Sequence, residues 1–154
     1  MVSLIWSDTI LAEAGATRDR VAAELVEAQI NGVVTVTGPA GMPGVLTRGD
    51  VDLHLRVDPG HFAEVVSRLG RLYEPTSQNS WAATLAVFEV PADRPTGLAV
   101  TPVGSPHDRR FSRSWERLRT EPDLLHDYNA LKVRHVDTDS YEEHKSAFFD
   151  RIMA

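Results

Sequence analysis

Residues 50–57 carry the most restrictive pattern of the sequence, because polar and apolar side chains alternate there without interruption. Successive side chains of a β-strand point to opposite faces of the sheet. The apolar face of such a strand is formed here by Val51, Leu53, Leu55 and Val57. The polar face is formed by Asp50, Asp52, His54 and Arg56. The pattern predicts a strand that packs on a hydrophobic core through one face and presents polar groups on the other.

Helical and strand patterns around this segment predict a mixed α/β fold. Apolar residues spaced three and four positions apart predict a helix over residues 8–30 and, after a turn over residues 58–60, a second helix that ends at Leu69. The β-branched segment Val33 to Thr37 predicts a short buried strand. The remaining predicted strands are residues 71–74, 83–90 and 98–103. Turns are predicted between them, over residues 75–80 and 91–97.

After Pro106 the apolar residues return to helical spacing and predict three helices. Phe111, Tyr128 and Phe148 each mark one of them, and Pro122 begins the second. With 154 residues, 42% of them hydrophobic, the chain is long enough to bury a sizeable core. We therefore expect one α/β (α+β) domain over residues 1–154, in which helices flank a mixed β-sheet and a helical segment follows it.

Charge and composition limit the possible partners. Asp and Glu total 22 against 16 Lys and Arg, which gives a formal net charge of −6. An acidic chain repels phosphate backbones, which disfavours non-specific nucleic-acid binding. The sequence has no cysteine, so any metal ligands are oxygen or imidazole groups. No apolar run approaches the roughly 18 residues of a membrane span and no basic segment precedes the apolar start, so we expect a cytoplasmic protein without membrane contact.

Asp50 and Asp52 are the strongest candidates for chemistry. Side chains two apart on a strand project in parallel, with Cα atoms about 6.5 to 7 Å apart, and two such carboxylates can converge on Mg²⁺. In phosphoryl transfer such acids hold the ions that activate the attacking oxygen and stabilise the leaving one. Glu89, on a later predicted strand, is the candidate for a third catalytic carboxylate. In the alternative interpretation the acids belong to a solvated sheet face, and His54 is a surface histidine.

A glycine-rich loop precedes the acidic pair. Gly38, Gly41 and Gly44 follow the predicted strand that ends at Thr37, and a glycine turn after a strand exposes N–H groups that can bind phosphate. A strand, a glycine turn and a strand with Asp-x-Asp resemble the nucleotidyltransferase superfamily signature. Pro39 departs from that signature, because it lacks an N–H and stands where glycine or a small hydroxyl residue is usual.

Four segments resemble motifs of the GrpB family in order and spacing. They are residues 38–44 with 48–53, then 118–124, 127–132 and 141–148. The resemblance implies a nucleotidyltransferase-like α/β fold, and it puts Asp52 on the family's acidic position. The helical positions that it matches are Tyr128, Lys132, Tyr141 and Lys145. Val36 and Trp115 depart from the family, which often has a histidine and an arginine at these places.

The candidates for substrate and phosphate binding combine the loop with these helical positions. Lysines can neutralise phosphate charge, although lysines on helices are more often solvated. Tyrosines on apolar stripes more often pack in the core with the hydroxyl at its edge. The full predicted set is Gly38, Gly41, Gly44, Arg48, Tyr128, Lys132, Tyr141 and Lys145.

The sequence supports two functions of different classes. The leading hypothesis is a nucleotidyltransferase in which Asp50 and Asp52 bind Mg²⁺, and a nucleotidyl group passes from a nucleoside triphosphate to a small-molecule acceptor. The alternative is a non-catalytic module that binds a nucleotide, an anionic metabolite or a partner protein in the same cleft. Pro39 and Trp115 favour the alternative, because both remove polar groups from the predicted site.

Overall fold

The computed structural model describes residues 2–77 and 81–154. In this part of the chain the helices are α1 Leu11–Glu27, α2 Phe62–Leu72, α3 Pro106–Thr120, α4 Pro122–His135 and α5 Tyr141–Met153. The strands are β1 Ile5–Trp6, β2 Val33–Thr37, β3 Leu46–Thr47, β4 Val51–Val57, β5 Glu74–Pro75, β6 Ala86–Glu89 and β7 Thr96–Pro102. One sheet has the order β2-β4-β7-β6-β5, and β1 pairs with β3 in a second. The expected mixed sheet with flanking and C-terminal helices is confirmed.

The alternating segment is strand β4, which lies inside the larger sheet. It runs antiparallel to β2 and parallel to β7. The side chains of its apolar face are at most 1% exposed, and they belong to the same hydrophobic cluster as Val21 and Leu25 of α1 and Val65 and Leu69 of α2. Burying a valine or leucine side chain contributes roughly 1.5–3 kcal/mol. This layer therefore fixes which face of the sheet is the core and which remains open to a ligand.

A second hydrophobic cluster holds the C-terminal helices together. Its large members are Trp115, Tyr128, Phe148 and Phe149, whose ring centroids lie 5.5–5.7 Å apart in each contacting pair. Tilted and edge-on aromatic pairs at this spacing are the favoured arrangements. The helices α3, α4 and α5 therefore form a unit with its own core, separate from the core between the sheet and α1 and α2.

Three features differ from the sequence-based expectation. Residues 71 and 72, predicted as strand, end helix α2, because the buried stripe of that helix continues through Leu69 and its last turn extends beyond it. The predicted buried strand β2 is the edge of its sheet, and Val33 is 64% exposed. Strand β6 begins only at Ala86. Part of the predicted turn over 75–80 lies outside the described residues. None of the described helices has both the length and the apolar character needed to cross a bilayer.

His54 is buried, which corrects the expectation of a surface histidine. Its side chain is 3% exposed, and Nε2 lies 2.8 Å from the Thr101 hydroxyl. Its ring contacts that of Phe111 on α3, with centroids 5.1 Å apart. Burial lowers the pKa of His54 to about 4, against an opposing effect of Asp108. Helix α3 therefore covers this part of the polar face of β4, and His54 is neutral in the folded protein near pH 7.

Asp108 ties helix α3 to strand β4. Its carboxylate, 1% exposed, accepts two hydrogen bonds from the Arg56 guanidinium at 2.6 and 2.8 Å, one from the Gly104 N–H and one from the Thr101 hydroxyl. Burial alone would raise the pKa of Asp108, but these donors lower it to about 2. Ser105 caps the same helix by accepting from the Asp108 N–H. The start of α3 is thus fixed by a fully paired buried carboxylate.

The buried His54 predicts an acid-sensitive fold. Below pH 6.5 the unfolded chain takes up a proton on this imidazole that the folded protein does not, so the free energy of unfolding falls with pH until the folded-state pKa of about 4 is reached. We expect a loss of about 3 kcal/mol from this group over that interval. Chemical denaturation at a series of pH values measures it.

The control for this prediction is a histidine that is exposed. His54→Gln is expected to flatten the pH dependence between pH 4 and 6.5, while His126→Gln, on the exposed side of α4, keeps the wild-type slope. Equal slopes for wild type and His54→Gln would show that the imidazole does not control acid stability.

Candidate functional site

A cleft of about 410 Å³ lies between the open face of the larger sheet and the helices α3 and α5. Its floor is formed by Thr37, Asp52, Val87, Gly97 and Ala99 together with Leu85. Its helical side includes Phe111, Ser114 and Trp115 of α3 and Lys145 and Phe149 of α5. Sites for small molecules typically have a volume of this order and a mostly apolar lining with a few polar groups. The cleft therefore has the size and character of a ligand-binding site.

Asp52 lies on the cleft floor between two glycines. A Cβ atom at Gly38 would lie 2.9 Å from Asp52 Oδ2, and one at Gly97 would lie 3.9 Å from Oδ1. The backbone of Gly38 has a φ of 66°, a conformation that favours glycine. Strand pairing puts Thr37 and Gly97 directly beside Asp52. The glycine turn and the acidic strand meet, and at the two glycine positions no side chain occupies the space next to the carboxylate.

The environment of Asp52 disfavours its charged form. Burial raises the pKa of the Asp52 carboxyl above its usual range. The charges of Lys145 and Lys132 partly offset this rise, and the charge of Asp50 adds to it. The side chain is nevertheless accessible to solvent from the cleft. A bound cation would stabilise such a carboxylate more than a fully hydrated one, because the carboxylate has lost part of its hydration.

An outer depression of about 380 Å³ adjoins the cleft and shares Asp52 and Gly97 with it. It contains the other two predicted acids, Asp50 and Glu89, and Arg94. Glu89 pairs with Gly97, which in turn pairs with Asp52, so only a glycine separates the two acids across the sheet. Among residues 2–77 and 81–154, no three His, Asp or Glu side chains lie close enough together to hold one metal ion. The structure therefore brings the three acids to one surface without joining them in a single metal-ligand group.

The other two predicted glycines have a structural use. The N–H of Gly41 donates to the Gly38 carbonyl at 3.1 Å, and the N–H of Gly44 donates to the Asp8 carboxylate at 2.8 Å. The Gly44 carbonyl accepts from the Asn129 amide of α4. Because these N–H groups are already bonded within the protein, the phosphate-binding role expected of Gly41 and Gly44 has no free donor in this structure.

Three cations and two tyrosines gather behind Asp52. Lys132 Nζ lies 4.8 Å from the Tyr128 ring centroid, Arg48 Cζ lies 5.2 Å from that of Tyr141, and Lys145 Nζ lies 6.0 Å from the same Tyr141 ring. The distances are those of cation–π contacts. The five predicted substrate-binding residues other than the glycines therefore lie in one cluster, but they differ in their access to the cleft.

Lys132 is 4% exposed, and Nζ donates to the Leu46 carbonyl at 2.9 Å. Burial lowers its pKa to about 7, with further lowering by the charges of Lys145 and Arg48. Burial raises the pKa of Tyr128 and Tyr141. The expectation of a solvated lysine is wrong for this position. Lys132 follows Tyr128 by one helical turn on the same stripe, and that spacing was a signal of burial.

Lys145 is the cation that reaches the cleft. It lines the cavity, is partly exposed, and forms no ion pair within 4 Å in the described part of the chain. Arg110 lines the same cavity but is paired with Asp150. Lys145 therefore has a charge available for an anionic ligand, whereas the charge of Arg110 is already partly compensated.

Sequence reasoning missed the apolar end of the cleft. The sequence identifies Phe111 only as part of a helix and Trp115 only as a lost polar group of the site, whereas both line the cavity together with Val87 and Ala99 of the sheet. The signal was present in β7, where the two open-face positions before Thr101 are Gly97 and Ala99. Two small residues in succession on one face leave a hollow that helices cannot fill.

Comparison with known proteins gives one consistent result. The crystal structure of conserved protein GrpB from Enterococcus faecalis is similar to this chain with a TM-score of 0.73 and 17% sequence identity, over 97% of this chain and 94% of that chain. At this identity the similarity shows the fold. A search of the curated proteins finds no match. The family model described as GrpB protein matches residues 8–154, and this chain therefore belongs to the GrpB family.

Proposed function

We propose that the cleft binds a nucleoside triphosphate with Mg²⁺ and that the protein transfers its nucleotidyl group to a small acceptor. The observation that carries this proposal is the position of Asp52, at the boundary of two adjoining cavities, between two glycines and beside the free charge of Lys145. A nucleotidyl donor and an acceptor must meet at one atom, and two cavities that share one carboxylate provide such a meeting point.

The acids available fit magnesium. Mg²⁺ is usually bound by one or two carboxylates, with phosphate oxygens and water completing its coordination. Asp50 and Asp52 are two apart at the start of one strand, line the same depression, and interact electrostatically. When bound, the ion would neutralise phosphate charge and polarise the α-phosphate. The two acids would then orient the triphosphate along the cleft.

Lys145 supplies the positive charge that the protein itself can place next to the phosphates. It approaches the cleft from α5, and its charge already acts on Asp52. Lys132 and Arg48 contribute at longer range, because Lys132 donates to the Leu46 carbonyl and Arg48 lies against Tyr141. Fixed positive charges in a partly desolvated site stabilise the charge that accumulates on the leaving pyrophosphate.

The transfer requires one bond to form and one to break. The oxygen or nitrogen nucleophile of the acceptor bonds to the α-phosphorus, and the bond from that phosphorus to the bridging oxygen of the β-phosphate breaks, which releases pyrophosphate. The acceptor loses a proton, for which Glu89 is the proposed base because it lines the outer depression beside Asp52. Glu89 is exposed on β6 and can return the proton to solvent.

A non-catalytic nucleotide-binding module is the second candidate. It is favoured by the separation of Glu89 from the acidic pair, since no three metal-ligating side chains cluster among the described residues. It is also favoured by Trp115, which makes the cleft more apolar than a site built for phosphate alone. The two candidates share the same cleft and differ in whether a product forms.

Asp52→Asn is the first test. It should abolish the increase in melting temperature that Mg²⁺ and nucleoside triphosphate together produce, and it should abolish transfer activity. The free variant should melt at or above the wild-type temperature, because burial disfavours the charged form of Asp52. Thermal shift measurements and pyrophosphate release report the two effects.

The matched control for this test is Asp123→Asn, which changes an exposed aspartate at the start of α4, outside both cavities. It should behave as wild type. Undiminished activity in Asp52→Asn would refute the proposed function, whereas nucleotide-dependent stabilisation of the wild type without any product would support the binding module.

Lys145→Met tests the phosphate-binding charge. We expect the affinity for magnesium nucleoside triphosphate to fall by about ten-fold or more, which is about 1.4 kcal/mol, because a charge-assisted contact with a phosphate oxygen is lost. Titration calorimetry measures the change, and Arg134→Met, exposed on α4, is the charge-matched control. A similar loss in both variants would mean that only the net charge of the protein matters.

A further inference from the structure

We infer that the inner end of the cleft is a nucleobase subsite, so that the nucleoside occupies the cleft and the acceptor enters from the outer depression. This inference rests on the proposed function and adds to it which substrate occupies which cavity. The apolar recess, as we name this inner end, is bounded by Phe111, Trp115 and Phe149 on the helices and by Val87 and Ala99 on the sheet.

The shape of the apolar recess follows from the register of β7. Leu98 and Val100 point into the core and are fully buried, so Gly97 and Ala99 point to the open face. Ala99 lies between His54 and Val87 in the sheet. It is partly exposed although α3 crosses above it. The recess therefore lies between Gly97, Ala99 and Val87 of the sheet and the aromatic residues of α3 and α5.

Such a gap suits a planar aromatic ligand. Bases stack on aromatic side chains with little dependence on their sequence identity, because every base has a π-face. Asp52 and Lys145 line the same cleft, so a base in the recess would direct its phosphates toward Asp52 and the free ammonium group. An acceptor in the same position would leave the triphosphate in the outer depression, which Lys145 does not line.

One polar group in the recess favours a base over a purely apolar ring. Ser114 is 1% exposed and lines the cleft, and its hydroxyl has no hydrogen-bond partner in the described part of the chain. Buried hydroxyl groups are normally bonded. The ring nitrogens and exocyclic groups of a base would supply the missing partner, and Ser114 would then contribute to base preference.

Ala99→Leu adds side-chain volume to the recess and leaves Asp52, Asp50 and Lys145 in place. The probes are the four common nucleoside triphosphates and, as a probe that has no base, tripolyphosphate, each with Mg²⁺ and measured by titration calorimetry. We expect the wild type to bind at least one triphosphate about ten-fold more tightly than tripolyphosphate. Ala99→Leu should remove that difference by weakening the nucleotide alone. Ala12→Leu, on the exposed side of α1, should leave both affinities unchanged.

The outcomes separate the inference from the function on which it rests. Failure of the wild type to bind either probe contradicts the proposed function. Equal binding of both probes by the wild type, or nucleotide binding that Ala99→Leu does not change, leaves the function standing and overturns the nucleobase subsite. Equal weakening of both probes by Ala99→Leu overturns it as well, because the recess would then not distinguish the base. A change in base preference in Ser114→Ala supports the nucleobase subsite. Quenching of Trp115 fluorescence by the bound nucleotide supports it as well.

Discussion

The pairing of Asp108 with Arg56 is the constraint on which the arrangement of this protein depends. A carboxylate that is 1% exposed must be compensated, and here the compensation comes from another element of the fold. The guanidinium of β4 and the carboxylate in the first turn of α3 hold the start of that helix on the sheet. Phe111 and Trp115 follow on the same helix and line the cleft, so the ion pair helps to position its helical side.

The core could be predicted from the sequence because it depends on local periodicity. Strict alternation over residues 50–57 identified the central strand and both of its faces, and helical spacing located the five helices of the described chain. Burial of polar residues was not predictable in the same way. His54 is buried because helix α3 covers it, and no pattern around residue 54 records that distant contact. Lys132 shares a helical stripe with Tyr128, which indicates burial, but its hydrogen bond to the Leu46 carbonyl comes from a segment far away in the sequence.

The candidate site also has one part that the sequence could predict and another that it could not. The closeness of Gly38 to Asp52 follows from the antiparallel pairing of β2 with β4, in which Thr37 lies opposite Asp52, and the glycine turn before the acidic strand indicated it. The placement of Glu89 depends on the register of β6 against β7, with Gly97 between the two acids, and only the three-dimensional structure gives it. The contribution of Phe111 to the cleft was missed because its helical spacing indicates a buried stripe and does not distinguish packing in a core from the lining of a cavity.

The order of elements along the chain has a consequence for how the site arises during synthesis. All strands of the larger sheet precede α3, and their hydrophobic layer against α1 and α2 can form before the last helices are made. Lys145 and Phe149 belong to α5, which packs through the separate cluster. A nascent chain can therefore form the sheet and its core before the cleft has its second wall, which is completed only by the final helix.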